Sequence, residues 1–122
     1  MNVEDYFAAL DAMLQKMAPL IAASAIEREV DSNTGLGLVR GAITFVNGTR
    51  FEFMEQLPTE RRKFRLHYMD SDNRLMTRWD SAPHYKELST FPFHVHRSNR
   101  VEAHVAMTAL DALDQIARML KV

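Results

Sequence analysis

The feature that most constrains the fold is a strand–turn–strand pattern in residues 36–57. Residues 36–46 and 50–57 are rich in apolar and aromatic side chains and flank Asn47-Gly48, a dipeptide typical of β-hairpin turns. Side chains alternate between the two faces of a strand, so the phenylalanines of both strands share a face only if the loop has an odd number of residues. We therefore predict a hairpin with a three-residue loop and a bulge.

A second hairpin is predicted where residues 63–70 and 74–80 flank a turn-forming cluster at residues 70–73. Pairing Asp70 with Asn73 places Phe64 opposite Trp79 and gathers the apolar side chains on one face. The same register pairs Leu66 with Thr77 and Tyr68 with Leu75. The opposite face then carries a mainly basic set: Lys63, Arg65, His67, Met76, Arg78 and Asp80. We predict that the first face belongs to the core and that the basic face is open to an anionic partner.

Helical patterns lie at both ends of the chain. Asn2 can cap a first helix, whose apolar residues recur at helical spacing until Pro19 ends or kinks it. Thr108 and Asp111 resemble a capping box at the start of a last helix, which carries an apolar stripe up to Leu120. Both patterns predict amphipathic helices that pack on a sheet.

The remaining segments complete a prediction of fold class. Residues 25–31 alternate as a strand, residues 101–107 allow a short strand, and Pro58 breaks the chain between the two hairpins. Residues 81–99 show no sustained period, and we expect them to form a loop. A chain of 122 residues fits one domain with one core. The predicted fold is α+β, with a single domain over residues 1–122 and an antiparallel sheet of about five strands. An N-terminal and a C-terminal helix pack on one face of that sheet.

Composition excludes several classes of protein. The chain has no cysteine, so a disulfide scaffold, a thiol nucleophile and a Cys-ligated zinc site are excluded. The first residues carry acids where a signal peptide would need positive charge. The longest nearly uncharged run, residues 17–26, is too short to cross a bilayer. These observations predict a cytoplasmic protein that has no membrane partner.

Charge is distributed unevenly along the chain. Residues 60–100 hold nine of the 15 Lys/Arg residues but only five of the 16 Asp/Glu residues, and they hold four of the five histidines. A basic segment within an acidic chain favours an anionic ligand or partner. The alternative is a solvated strand face with no ligand.

The segment from Arg78 to Arg97, RWDSAPHYKELSTFPFHVHR, has the residue types needed to cleave RNA through its own 2′-hydroxyl. That reaction needs a base, an acid and a cation for the phosphate, and histidine and arginine suit these roles. Three histidines are the proton-transfer candidates: His84, His94 and His96. Asp80 is expected to orient one of them. The candidates for binding phosphate or RNA are Arg65, Arg78, Lys86, Arg97 and, by stacking a base, Tyr85.

Other interpretations of this segment remain open. His94 and His96 share a face if residues 93–97 are extended, and with His84 and Asp80 they could bind a divalent metal ion. The spacing matches no closed metal signature, and we expect neither a metal nor a cofactor. The histidines can equally be structural residues, and Asp80 can simply cap the loop backbone. Trp79 could stack a base, but its place on the apolar face favours the core.

The second half of the chain resembles the TumE-like toxin family of prokaryotic toxin–antitoxin modules. The resemblance rests on FRLHYMD from Phe64, RWDSAPH from Arg78, STFPFHVH from Ser89, and a closing helix of the TxLDxLxxI type from Thr108. The family typically has a second histidine where this chain has Tyr85 and a lysine where it has Val95.

The resemblance implies a growth-inhibiting toxin that is neutralised by a helix-turn-helix-type antitoxin encoded beside it. Our leading hypothesis adds RNA binding and metal-independent ribonuclease activity, which we infer from the basic, histidine-rich and aromatic composition. One alternative is a non-enzymatic interaction module whose basic face binds an acidic antitoxin or another partner. A second alternative is a His/Asp protein that binds a divalent metal. The exposed strands and amphipathic helices are compatible with a homodimer.

Overall fold

The computed structural model describes residues 2–57 and 63–120, which form a seven-stranded antiparallel sheet and two helices. The strand order in the sheet follows the chain, from β1 to β7, so each strand pairs with the next one. The elements are α1 (Val3–Lys16), a short 3₁₀ turn (Ala18–Leu20), β1 (Ile21–Val30), β2 (Gly37–Phe45), β3 (Arg50–Leu57), β4 (Phe64–Met69), β5 (Leu75–Asp80), β6 (His94–Arg97), β7 (Arg100–Ala103) and α2 (Ala109–Leu120). The predicted α+β class is confirmed, with two strands more than expected. Pro58 lies outside the described residues.

Both helices contribute to a core on one face of the sheet. The described core includes Leu10 from α1, Leu113 and Ile116 from α2, and Trp79 from β5. Arg28 of β1 also reaches α1, where it pairs with Asp11. None of the described helices packs on the opposite face of the sheet, which we call the open face. Among the described residues, no helix is long and apolar enough to cross a membrane.

The predicted helix starts are confirmed. The Asn2 side chain accepts a hydrogen bond of 2.8 Å from the Asp5 N–H, as an N-cap residue does. At α2, Thr108 Oγ1 accepts from the Asp111 N–H, and the Asp111 carboxylate accepts from the Thr108 N–H. This reciprocal pair is a capping box. Helix α1 ends at Lys16, and the chain passes through the 3₁₀ turn that contains Pro19 into β1.

The β2–β3 hairpin has the predicted loop. Ile43 pairs with Phe51, and the Phe45 N–H donates to the Thr49 carbonyl. This leaves residues 46–48 as a three-residue loop. Gly48 has a φ of +88° in this loop, a conformation that glycine adopts without steric cost.

The β4–β5 hairpin has the predicted faces but a different register. The predicted pairing of Asp70 with Asn73 is wrong, because the Asp70 N–H donates to the Arg74 carbonyl and Asn73 takes a left-handed conformation with φ +62°. An irregularity next to Met69 shifts the register once more, so that Leu66 pairs with Trp79. The total shift is two residues. Because the side-chain period is also two, the paired residues from Arg65 to Tyr68 and from Thr77 to Asp80 keep their predicted faces.

The prediction of a loop over residues 81–99 is wrong at its end, because His94–Arg97 forms β6 and pairs with β5. Ser98, with φ +51°, turns the chain into β7. Four residues are too few to establish a periodic pattern, so the sequence could not show this strand. The predicted strand over residues 101–107 is shorter and starts earlier, at Arg100.

Candidate functional site

The register of the seven strands places the polar residues of the open face in two rows that cross the sheet. Because strands alternate their side chains, paired residues on neighbouring strands project on the same side. The first row, from β1 to β6, is Ala25, Ala42, Glu52, His67, Arg78 and His96. The second row is Glu27, Arg40, Met54, Arg65, Asp80 and His94. Residues from six strands thus meet on one surface.

A cavity of about 540 Å³ lies at the β4–β6 end of this face, within the usual size range of ligand sites. The loop after β5 forms one wall and contributes His84 and Tyr85. Its polar lining residues are Lys63, Arg65, Arg78, Asp80, Ser81, His84, Tyr85, His94 and His96. Three cationic side chains face one carboxylate there, so the cavity attracts anions.

His94 and His96 meet at the base of the cavity. Their Nε2 atoms are 3.0 Å apart, and the His94 Nδ1 lies 3.0 Å from the Pro92 carbonyl oxygen. A carbonyl only accepts, so His94 carries a hydrogen on Nδ1. The His96 Nε2 faces both the His94 Nε2 and the Arg78 guanidinium, which only donates, so the tautomer of His96 sets which of the two contacts is a hydrogen bond. His94 is 2% exposed, whereas His96 is half-buried.

Arg78 and Asp80 lie beside the two imidazoles on β5. The Arg78 Nη2 is 3.3 Å from the His96 Nε2, and its Nε is 3.6 Å from the Asp80 carboxylate. The other Asp80 oxygen accepts a hydrogen bond of 2.7 Å from the Ala82 N–H. Asp80 therefore holds both Arg78 and the start of the loop. Its hydrogen bond with the Ala82 N–H is the loop-capping contact considered for Asp80 in the sequence analysis.

The surroundings of His96 and His67 favour their neutral forms. Burial lowers the pKa of His96, the positive charge of Arg78 and the neighbouring His94 lower it further, and Asp80 opposes them. Burial also lowers the pKa of His67, together with the charges of Arg78 and Arg65. Both rings are therefore weaker bases than a free histidine and hold a lone pair at neutral pH.

Tyr85 covers the histidine pair. Its ring stands edge-on to His94 with centroids 4.9 Å apart and to His96 with centroids 5.9 Å apart. The ring thereby shields His94 from solvent.

Three of the cavity residues could also hold a metal ion. A carboxylate oxygen of Asp80 and one ring nitrogen each of His94 and His96 lie within 4.8 Å of one another. Two histidines and a carboxylate are a donor set that zinc and other divalent metals accept. The Arg78 guanidinium next to His96 opposes a second cation there.

The structure brings together most, but not all, of the site residues predicted from the sequence. His84, His94, His96, Asp80, Arg65, Arg78 and Tyr85 line the cavity. Lys86 is exposed and is not among its lining residues. Arg97 projects to the other face of the sheet, because it alternates with His96 along β6. Its guanidinium forms an ion pair with Glu102 there. Trp79 is 1% exposed in the core, as its place on the apolar face indicated.

The sequence placed His67 on the basic face but did not identify it as a site residue. It lies between Glu52 and Arg78 in the first row, and its Nε2 is buried without a hydrogen-bond partner among the described residues. Glu52, Met54 and Arg40 were also missed. Only the pairing of β2 and β3 with the second hairpin reveals them, and that pairing is not local in sequence.

Comparison with known families identifies this chain. The family model described as Toxin TumE matches residues 10–121. The match covers most of the chain and extends beyond the second half, in which the sequence motifs of the family lie. Comparisons with curated proteins and with solved structures found no match. The chain therefore belongs to the TumE family of toxins and is the toxin component of a toxin–antitoxin module.

Proposed function

We propose that this toxin binds RNA and cleaves it by acid–base chemistry, without a metal ion, in the cavity at the β4–β6 end of the open face. The observation that carries the proposal is the convergence of His84, His94 and His96 on a cavity that Arg65 and Arg78 make basic. Proton donors and acceptors beside phosphate-binding cations are the groups that this reaction requires.

His96 is the base in this proposal. It is the partly accessible member of the histidine pair, and its lowered pKa keeps it unprotonated near neutral pH. It removes the proton of the 2′-hydroxyl as the 2′-oxygen attacks the phosphorus. His94 is too deeply buried to touch RNA, and its Nε2 lies against that of His96. It is therefore a positioning residue that fixes the His96 ring.

His84 is the acid. An in-line displacement places the attacking and leaving oxygens on opposite sides of the phosphorus, so acid and base must come from different walls. His84 lies on the loop wall, and His96 lies on the sheet. As the bond from phosphorus to the 5′-oxygen breaks, His84 gives its proton to that oxygen. The products are a 2′,3′-cyclic phosphate and a 5′-hydroxyl.

Arg78 binds the phosphate as its negative charge becomes concentrated. Asp80 contacts its Nε and His96 lies beside its Nη2, and the five N–H donors of a guanidinium are enough to keep these contacts and bind phosphate oxygens as well. Arg65 lies next to Asp80 across the strands and adds a second positive charge.

Cleavage of single-stranded RNA by purified toxin in EDTA tests the proposal. We expect His84→Ala, His96→Ala and Arg78→Ala to lose cleavage and toxicity while they keep the wild-type circular dichroism spectrum and melting temperature. His104→Ala is the matched control, since His104 lies outside the cavity and should keep full activity. Full activity of both His84→Ala and His96→Ala would overturn the proposal.

A metal-dependent hydrolase is a second candidate, favoured by the convergence of Asp80, His94 and His96. It predicts that EDTA abolishes cleavage and that a divalent metal restores it.

A third candidate is a non-enzymatic toxin whose open face binds its partner. In that case, charge reversal at Arg65 and Arg78 would weaken partner binding and histidine substitutions would be harmless.

A toxin of a toxin–antitoxin module implies an antitoxin, and we propose that it is of the helix-turn-helix type, as the family resemblance implies. Its binding would neutralise the toxin. Co-expression of the neighbouring open reading frame with a tagged toxin tests this pairing. Growth should be restored and both proteins should co-purify, whereas continued toxicity would refute it.

A further inference from the structure

A second cavity, of about 420 Å³, lies on the open face over β1–β4. Ala42 and Met54 form an apolar part of its lining, and its charged lining residues are Glu27, Glu52, Arg40 and Arg65. His67 also lines the cavity. Its buried Nε2 has no hydrogen-bond partner among the described residues. The cavity therefore combines an apolar surface with both signs of charge and an unused polar atom, as ligand sites do.

This cavity adjoins the proposed cleavage site. Met54 and Arg65 line both cavities. The first row connects Glu52 on β3 to His96 on β6 through His67 and Arg78. Neighbouring strands are about 4.8 Å apart, so these ends are about 14 Å apart across the sheet. An RNA strand held at Arg78 can therefore place a neighbouring nucleotide over Ala42.

We propose that this second cavity binds a guanine base of the RNA that the first cavity cleaves, and that Glu52 determines the specificity. The inference rests on the proposed function for its substrate, but the cavity's own chemistry selects the base. Guanine presents two adjacent N–H donors on its Watson–Crick edge, which match the two oxygens of a carboxylate. It presents two acceptors, O6 and N7, on its other edge, which match an arginine.

Glu52 and the two arginines supply both halves of that pattern. Glu52 lies directly opposite Ala42 on the neighbouring strand, with Arg40 and Arg65 flanking Met54 in the second row. Arg50 contacts one Glu52 oxygen at 2.8 Å and holds the carboxylate. The small Ala42 side chain leaves room for a flat ring above the sheet.

The other bases match less well. Adenine carries an amino group where guanine has O6, so it would present a donor to an arginine that only donates. Uracil has a single N–H between two carbonyls, and the carboxylate would repel these. Cytosine offers one amino donor beside an unprotonated ring nitrogen. Each mismatch leaves a charged group without its partner, which weakens binding.

Mononucleotide titration followed by methyl NMR tests the inference without any catalytic step. The probes are the methyl groups of Ala42 and Met54, and the ligands are GMP, AMP, UMP and CMP. We expect GMP to shift both methyl signals and to bind about tenfold more tightly than the others, the size of one good bidentate contact. Equal affinity for the four nucleotides, or no shift at Ala42, would overturn the inference.

Glu52→Gln should remove the preference for GMP, because an amide cannot accept from both guanine donors. Glu29→Gln is the matched control, since Glu29 is an exposed acid on β1 outside the cavity. Retention of the preference in Glu52→Gln would refute the role of that residue. Guanine binding by a toxin that does not cleave RNA would refute only the proposed function. Cleavage without guanine preference would refute only this inference.

Discussion

The hydroxyl of Tyr6 in α1 donates a hydrogen bond of 2.5 Å to the carboxylate of Glu55 in β3. Both residues are almost completely buried. Burial raises the pKa of Tyr6, and the adjacent Glu55 charge raises it further, so the hydroxyl remains a donor at any physiological pH. This bond ties the first helix to the centre of the sheet across 49 positions of sequence.

Tyr6→Phe should therefore destabilise the protein by about 1.5–3 kcal/mol, the usual effect of removing a hydrogen bond from a charged group. Urea unfolding followed by circular dichroism measures the free energy of unfolding. Glu52→Gln, on the exposed side of the same strand, is the control and should change stability by less than about 0.5 kcal/mol. Wild-type stability of Tyr6→Phe would show that the bond contributes nothing.

Trp79 should tolerate phenylalanine but not alanine. Its indole nitrogen is buried without a hydrogen-bond partner among the described residues, so Trp79→Phe removes volume but no polar contact. We expect a loss of about 1–2 kcal/mol, against about 3–5 kcal/mol for Trp79→Ala. Thermal unfolding gives both values. Trp79→Phe should also keep RNA cleavage, and a folded Trp79→Phe variant without activity would instead indicate that the indole in the core holds the neighbouring Arg78 and Asp80 in position.

Local sequence patterns predicted the helices, the hairpin turns and the faces of the strands. The face of Arg78 and Trp79 was predicted correctly although their register was wrong, because a shift by two residues conserves the side of each side chain. The shift itself arises from the left-handed conformation of Asn73 and the irregularity beside Met69. Neither feature leaves a periodic signal in the sequence.

The candidate site was predicted only where its residues are close in sequence. The motif around Asp80 and the alternation of His94 and His96 indicated one cluster, and these residues do meet. Arg97 belongs to the same basic run, but strand alternation takes it to the other face. Glu52 and His67 join the surface through pairing of β3 with β4, and single-sequence patterns do not specify which hairpins pair.

Acid should destabilise the fold through His67. Its pKa is lower in the folded protein than in the unfolded chain, so below about pH 6.5 the unfolded chain binds more protons. This histidine therefore makes its full contribution to stability above that pH, and the contribution is lost as the pH falls through the folded-state pKa. Melting temperatures between pH 7.5 and pH 5 should fall less steeply for His67→Gln than for His104→Gln. Parallel curves for the two variants would contradict this role.

The pH dependence of RNA cleavage should report on His96. A base must be unprotonated, and because its pKa is lowered, cleavage should persist below pH 6.5, the ordinary value for histidine. Asp80 acts in the opposite direction and raises the pKa of His96. Asp80→Asn should therefore move the acid limb of the rate profile to still lower pH, even if the maximal rate falls because Arg78 loses its partner.

Initial rates with a short single-stranded RNA between pH 4.5 and pH 8 measure this shift. Asp114→Asn, on the surface of α2 where Asp114 pairs with Arg118, is the matched control and should leave the acid limb in place. An acid limb that moves upward in Asp80→Asn would mean that the group titrating in the rate profile is not His96. An unchanged limb would mean that the essential base does not respond to the charge of Asp80, and it would refute the assignment of His96 as that base.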